Sequence, residues 1–239
     1  MSDAGQMAER EPVYVMVSGV ESLPYPACAR TSVKELLRGE EVLVSQVVIE
    51  GKGEAEDYGV SETVRCWYVL DGKAILRGER ADAHVSRGCL IVIPPGVSWG
   101  PCLSLVSDRL TALDIAARAG REDRGSHPDA GQDRAASVIR PEDVPSYLPA
   151  GHSKTVNRCL YIDDRIEIIE GTIEVGGGAQ RHLHRHHEQV LYLLETSNPL
   201  LIYYPKGAPH GTEGGVSSRL KLLVIYSPPL GESQNALKE

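Results

Sequence analysis

The chain has 239 residues, 41% of them hydrophobic, with a formal net charge of −8 and a pI near 5.5. That acidic balance argues against a nucleic-acid footprint, which is basic. No apolar run approaches the roughly 18 residues of a membrane span, and Met1–Arg10 lacks the apolar core of a signal peptide. Five scattered cysteines (Cys28, Cys66, Cys89, Cys102, Cys159) contain no C-x-x-C pair. They fit free thiols in a reducing compartment better than a disulfide framework, so the expected location is cytoplasmic.

Phenylalanine is absent. Val, Ile, Leu and Tyr must therefore fill the core, and the β-branched share of that set leans toward strands. In chain order, residues 1–12 are polar. Ser32-Val-Lys-Glu35 has capping-box spacing before Leu36-Leu37, which predicts a short helix ending at Gly39. Glu41–Glu50 reads as a strand, as does Val64–Leu70, and Asp71-Gly72 signals a hairpin into Lys73–Arg77. Cys89–Ile93 is a short apolar run stopped by Pro94-Pro95-Gly96, and Leu110–Ala117 is a further strand candidate.

Residues 119–137 are rich in Gly, Asp, Arg and Ala and read as a linker. His127 lies within it and reads as a solvated loop histidine. Strands resume at Arg165–Glu170, Thr172–Val175, Gln189–Leu194, Leu200–Tyr204 and Arg219–Tyr226. Many short strands with Gly and Pro punctuation, and no long helical periodicity, predict an all-β sandwich or barrel architecture.

The two halves also match each other. A shift of 124 residues lays Val42–Leu70 over Ile166–Leu194, and a shift of 111 lays Ile93–Gly100 over Tyr204–Gly211. A shift of 110 then lays Leu110–Ile115 over Leu220–Ile225. Two similar β domains are expected: residues 1–118, a linker at 119–137, and residues 138–239. The second is shorter, because 26 residues separate Tyr68 from Pro94 but only 13 separate Tyr192 from Pro205. A hairpin has been lost there.

The densest chemistry is Arg181-His182-Leu183-His184-Arg185-His186-His187-Glu188, which holds four of the eight histidines. At strand period, His182, His184, His186 and Glu188 share one face. A helix would instead pair His182 with His186 and His184 with Glu188. Either way imidazoles converge with a carboxylate, which suits a divalent transition metal. No G-x-S-x-G is present and no cysteine neighbours a histidine, so nucleophilic catalysis finds no support.

The pair His182-x-His184-x-x-x-Glu188 and Pro205-x-Gly207-x-x-His210, following Gly176-Gly177, resembles the two motifs of the cupins, small jelly-roll β-barrels. The first motif of that family carries H-x-H, three or four residues, then glutamate. With the internal repeat, the whole chain resembles a bicupin: all-β, two jelly-roll barrels in tandem, the second shortened by a hairpin.

The resemblance implies that His182, His184, Glu188 and His210 are metal ligands for one divalent ion per chain, with Fe(II) favoured and Mn, Ni, Cu or Zn open. In the first half the ligand positions map to Tyr58, Val60, Val64 and Trp99, which are poor ligands, so no metal is expected there; a role in supporting the fold and the dimer is favoured over an organic ligand held against Trp67 and Trp99. His186 and Tyr192 share the parity of the ligands and are the candidate catalytic residues. His187 and Gln189 are expected to point away. Arg158 and Arg181 are weighed as anchors for a substrate carboxylate, Tyr203 or Tyr204 as a cavity wall, His152 as a loop cap near the entrance and His84 as surface.

The activity implied is a metal-dependent enzyme on a small organic substrate, with dioxygenase-like chemistry placed first. A metal-dependent isomerase or cyclase, or a non-catalytic small-molecule-binding bicupin, is the alternative. A homodimer is expected, without nucleic-acid or membrane partners.

Overall fold

A computed structural model describes residues 10–26, 28–78, 81–98, 100, 102–118 and 135–231. The first half contains β1 (Val13–Met16), β2 (Leu23–Pro24), β3 (Thr31–Arg38), β4 (Val42–Glu50), β5 (Gly53–Glu54) and β6 (Arg65–Asp71). It continues with β7 (Lys73–Leu76), β8 (Ala83–Ser86), β9 (Leu90–Ile93), β10 (Leu103–Leu105) and β11 (Arg109–Ala117). The second half contains β12 (Ser137–Ile139), β13 (His152–Ile162), β14 (Glu167–Ala179) and β15 (His182–Leu183). It closes with β16 (Glu188–Leu193), β17 (Leu200–Tyr204), β18 (Pro209–His210) and β19 (Leu220–Ser227). Among the described residues there is no α-helix, and no helix long and apolar enough to cross a membrane.

The internal repeat is visible as topology. One large sheet runs β12-β9-β6-β11-β4-β3-β2 and the other β1-β17-β16-β19-β14-β13. Strand for strand, β9-β6-β11-β4-β3 corresponds to β17-β16-β19-β14-β13. Each half lends a strand to the other. Val13–Met16 pairs with Leu200–Tyr203 at the edge of the second half's sheet, and Ser137–Ile139 pairs with Leu90–Val92 at the edge of the first half's.

Strand alternation divides the apolar residues between two faces. On β6, Cys66 and Tyr68 face the joint between the halves, while Trp67 and Val69 face the interior of the first barrel. Leu113 and Ile115 of β11 meet Leu223 and Ile225 of β19 in one core shared by both halves, all four fully buried. At about 1.5–3 kcal/mol for each side chain of this size taken from water, that contact ties the halves together strongly.

The small sheets differ. The first half has a four-stranded sheet, β5-β10-β7-β8. The second half has only β15-β18 in a separate two-stranded sheet, and nothing between Leu193 and Leu200 matches the β7–β8 hairpin. Among the described residues, the second half's small sheet thus has two strands where the first half's has four.

Two local expectations are corrected. Residues 32–37 form a strand, because Val33 pairs with Val47 and Ser32 with Val48. The cross-strand partner and the buried Thr31, Leu36 and Leu37 outweigh the capping-box signal. Asp71-Gly72 is not a hairpin turn, since β6 and β7 belong to different sheets. Gly72 makes the corner at φ +96, where a Cβ would stand 2.3 Å from the Arg109 carbonyl oxygen, so only glycine fits. Of the expected linker, residues 119–134 lie outside the described residues, and His127 with them.

Candidate metal centre

Three imidazoles meet at the mouth of the second half. His182 and His210 are direct cross-strand partners in the β15–β18 ladder, and their ring centroids are 4.3 Å apart. His184 leaves β15 and is tied back by its carbonyl, which accepts from the Gly207 N–H at 2.8 Å. The ring of His184 lies 4.9 Å from that of His182 and 5.1 Å from that of His210. The Pro205–Ala208 turn that presents His210 is closed by Ala208 N–H donating to the Pro205 carbonyl at 2.9 Å, with Gly207 at φ +84. Thr212 locks the second motif against the first, because its Oγ1 accepts from Ala179 N–H at 2.8 Å.

Backbone carbonyls set the tautomers. His182 Nδ1 donates to the Gln180 carbonyl at 2.7 Å and His210 Nδ1 to the Ala208 carbonyl at 3.0 Å. With Nδ1 protonated, each Nε2 carries the lone pair, the arrangement that orients metal-binding histidines. The Nε2 atoms of His184 and His210 are buried and have no hydrogen-bond partner. Burial pulls the His184 imidazole down to about 3, with the neighbouring His210 and His182 adding to it. Burial likewise pulls His210 down to about 4, against the opposing hydrogen bond to Ala208. Both rings are therefore neutral near pH 7. One nitrogen from each of the three rings falls within 4.8 Å of the others, close to the roughly 4.2 Å maximum for two nitrogens on one ion with 2.1 Å bonds. Three converging imidazoles, two of them with orphaned Nε2 atoms, fit a divalent transition metal.

Glu188, the fourth expected ligand, is not among these three. Its carboxylate is 1% exposed and accepts from the backbone N–H groups of Glu40 (2.7 Å), Glu41 (2.9 Å) and Val42 (3.2 Å). The Tyr203 hydroxyl donates to it at 2.5 Å. It anchors the second half to the β3–β4 turn of the first. The cause is a break in the alternation. The bend at Arg185-His186 separates β15 from β16, so the parity of His182 and His184 does not carry through to Glu188.

Gln189 has the inward position instead, five positions after His184 where Glu188 is four. The expectation that it points away is corrected. It lines the cavity, is 6% exposed, and donates from Nε2 to the Tyr226 hydroxyl at 3.1 Å. Its Oε1 is buried without a partner.

The remaining candidates sort clearly. His186 is exposed on the bend and does not line the cavity. Tyr192 is 1% exposed in the core between the halves, on the opposite face of β16 from Gln189. It is thus displaced from the proposed catalytic position. Tyr204 lines the cavity with its ring 4.5 Å from that of His210, whereas Tyr203 turns to Glu188. His187 donates from Nδ1 to the Pro228 carbonyl, with its ring 6.1 Å from that of His184. Neither Arg158 nor Arg181 lines the cavity, and His84 is exposed. His152 is more than a loop cap. It lines the cavity with its ring 6.2 Å from that of His182, and its Nδ1 is bound to the Ala150 carbonyl. Linear spacing held no signal for it, because it reaches the site from the start of β13.

The cavity beside the imidazoles has a volume of about 90 Å³. Ile169, Ile173, Leu191, Leu222 and Val224 make its apolar wall, and Thr155, Asn157 and Gln189 its polar side. No Asp, Glu, Lys or Arg is among the described residues that line it.

The first half holds no counterpart among its described residues. Tyr58 is buried, its hydroxyl 2.7 Å from Thr31 Oγ1 and its ring packed edge-on against Trp67 and Tyr25. Val60 is exposed and Val64 packs on the shared core. Trp99 lies outside the described residues. Aromatic packing fills the place that imidazoles line in the second half.

No family model matches the chain, and no curated protein matches it. Solved structures do. A candidate glyoxylate-induced protein from Pseudomonas aeruginosa aligns with TM-score 0.69 at 15% identity, over 95% of this chain and 91% of that one. A candidate dioxygenase from Nostoc punctiforme aligns with TM-score 0.69 at 15% identity, over 92% and 84%. Oxalate decarboxylase from Lactobacillus farciminis aligns with TM-score 0.59 at 10% identity, over 91% and 86%. At these identities the likeness establishes architecture alone. Together with the sheet order, it establishes that this chain has the cupin fold.

Proposed function

We propose that the cavity of the second half is a metal-dependent catalytic site for a small organic substrate, with dioxygenase-like chemistry on Fe(II) as the first reading. The observation that carries it is the trio His182, His184 and His210, each offering a ring nitrogen within 4.8 Å of the other two, beside a small cavity that His182 and His210 line. The likeness to a candidate dioxygenase and to an oxalate decarboxylase supports this reading at the level of fold. A divalent metal held there would offer open positions to substrate oxygens and, if it is iron, to O₂.

The chain's own residues shape what enters. About 90 Å³ admits only a few heavy atoms, far below the roughly 300 Å³ of ordinary ligand pockets. The apolar wall of Ile169, Ile173 and Val224 excludes water from one side of the substrate. Asn157, Thr155 and His152 offer hydrogen bonds on the other.

The test is to load the protein anaerobically with Fe(II), Mn(II), Ni(II) or Zn(II), measure stoichiometry, and screen small hydroxy acids, oxo acids and diols with an oxygen electrode. One metal per chain and substrate-dependent O₂ uptake are expected. Turnover that proceeds equally without O₂ would point to the isomerase or cyclase reading. A chain that stays metal-free after all four loadings would end the proposal. A second reading, small-molecule binding without turnover, is favoured by one observation: the small sheet beside the site has two strands where the first half has four. Saturable binding with no product across the screen would select it.

A further inference from the structure

Gln189 occupies the position that sequence spacing assigned to a glutamate. We infer that Gln189 Oε1 is the fourth protein ligand of the metal. The centre is then three imidazoles and one neutral amide, and it selects small anions. This rests on the reading that the cavity holds a metal, and it goes further in naming the ligand set and the substrate charge.

Three observations support it. First, Gln189 Oε1 is buried with no hydrogen-bond partner, as are His184 Nε2 and His210 Nε2. A dry, unpaired amide oxygen is destabilising, so its burial calls for a donor or a cation opposite it. Second, these atoms belong to one neighbourhood. Tyr226 touches both sides, taking a hydrogen bond from Gln189 Nε2 at 3.1 Å and packing its ring 5.4 Å from that of His184. The bond to Tyr226 holds the amide so that Nε2 faces the tyrosine and Oε1 faces the other way. Third, the family's carboxylate is occupied elsewhere. Glu188 is held by three backbone N–H groups of the first half and by Tyr203, so it cannot reach the imidazoles without abandoning four hydrogen bonds.

The consequence is electrostatic. A glutamate ligand would cancel one of the metal's two charges, and an amide cancels none. No Asp, Glu, Lys or Arg is among the described residues lining the cavity. The metal's own charge is then the sole fixed charge in a largely desolvated space, where Coulombic attraction is several times stronger than in water. Its open positions favour a carboxylate or another oxyanion over a neutral alcohol or amine. The apolar wall and the volume of about 90 Å³ restrict the rest of the molecule to a short, uncharged tail.

The test uses the full chain, Co(II) as the metal probe and azide as the anion probe. Co(II) affinity is measured by competition with a chelator, and its visible absorption reports the ligand set. Gln189→Leu is expected to weaken Co(II) binding by about 10–100-fold, the range for disturbed metal sites, and to change the spectrum. Gln189→Glu, nearly isosteric, is expected to tighten Co(II) at least tenfold and to weaken azide binding to the Co(II) protein at least tenfold. Glu188→Gln is expected to leave Co(II) affinity and spectrum unchanged. If Gln189→Leu does not fold, the near-isosteric Gln189→Glu still decides the matter. An unaltered Co(II) spectrum and azide affinity in Gln189→Glu overturns the inference while leaving the metal reading intact. A wild-type chain that takes up no Co(II) overturns both.

Discussion

Removing the Glu188 carboxylate by Glu188→Ala should destabilise the joint between the halves without abolishing the metal site. Three backbone N–H groups lose their acceptor, and the Tyr203 hydroxyl loses its own. The carboxylate is 1% exposed, so its partners are not rescued by bulk water. Each buried polar group left unsatisfied costs about 1–3 kcal/mol, and water entering the vacated space recovers part of that, which leaves a loss of about 3–5 kcal/mol. At about 2–4 °C per kcal/mol for a chain of this size, Tm should fall by roughly 6–20 °C. The assay is thermal unfolding followed by circular dichroism at neutral pH, with metal stoichiometry measured on the folded variant at 10 °C. A variant that loses its metal while keeping the wild-type Tm would refute the reasoning, since that is how a ligand behaves and a structural anchor does not.

Other expectations follow from the same geometry. Gly39→Ala places a Cβ 2.8 Å from Glu188 Oε2 and 3.2 Å from the Val42 carbonyl oxygen, so it should lower Tm by crowding the same anchor. A Gly39→Ala melt identical to wild type would contradict this packing. Deleting residues 1–16 removes β1 and bares the β17 edge, which should drive self-association visible by light scattering. A monodisperse truncated protein with wild-type stability would show that the added strand is dispensable. For the metal-free protein, His184 and His210 have folded-state values of about 3 and about 4, below their ordinary 6.5. Between pH 6.5 and about 4 the unfolded chain binds more protons than the folded one, so stability is full above pH 6.5 and falls as pH is lowered. Denaturant titrations across that range should show this slope shrinking in His184→Ala; the same slope in both proteins would remove these rings as its source.

The strand positions at Glu41–Glu50, Val64–Leu70, Leu110–Ala117 and Leu200–Tyr204 were legible because β-branched alternation and flanking Gly and Pro are local signals. So were the repeat, the lost hairpin and the pairing of His182 and His184 with His210, since these depend on spacing within short motifs. β1, β3, β12 and β13 were not legible. Val13–Met16 is a strand because β17 lies beside it, and residues 32–37 are extended because β4 is their partner.

What the sequence by itself determined is therefore the all-β character and the three imidazoles. Which neighbour, Glu188 or Gln189, faces those imidazoles was decided by tertiary structure. The bend at Arg185-His186 breaks the two-residue period, so a one-residue difference in spacing exchanges the faces of β16. The amides of Glu40, Glu41 and Val42, nearly 150 positions away in the chain, then hold the carboxylate on the far side. No local pattern encodes that contact, because it exists only once the two halves have packed.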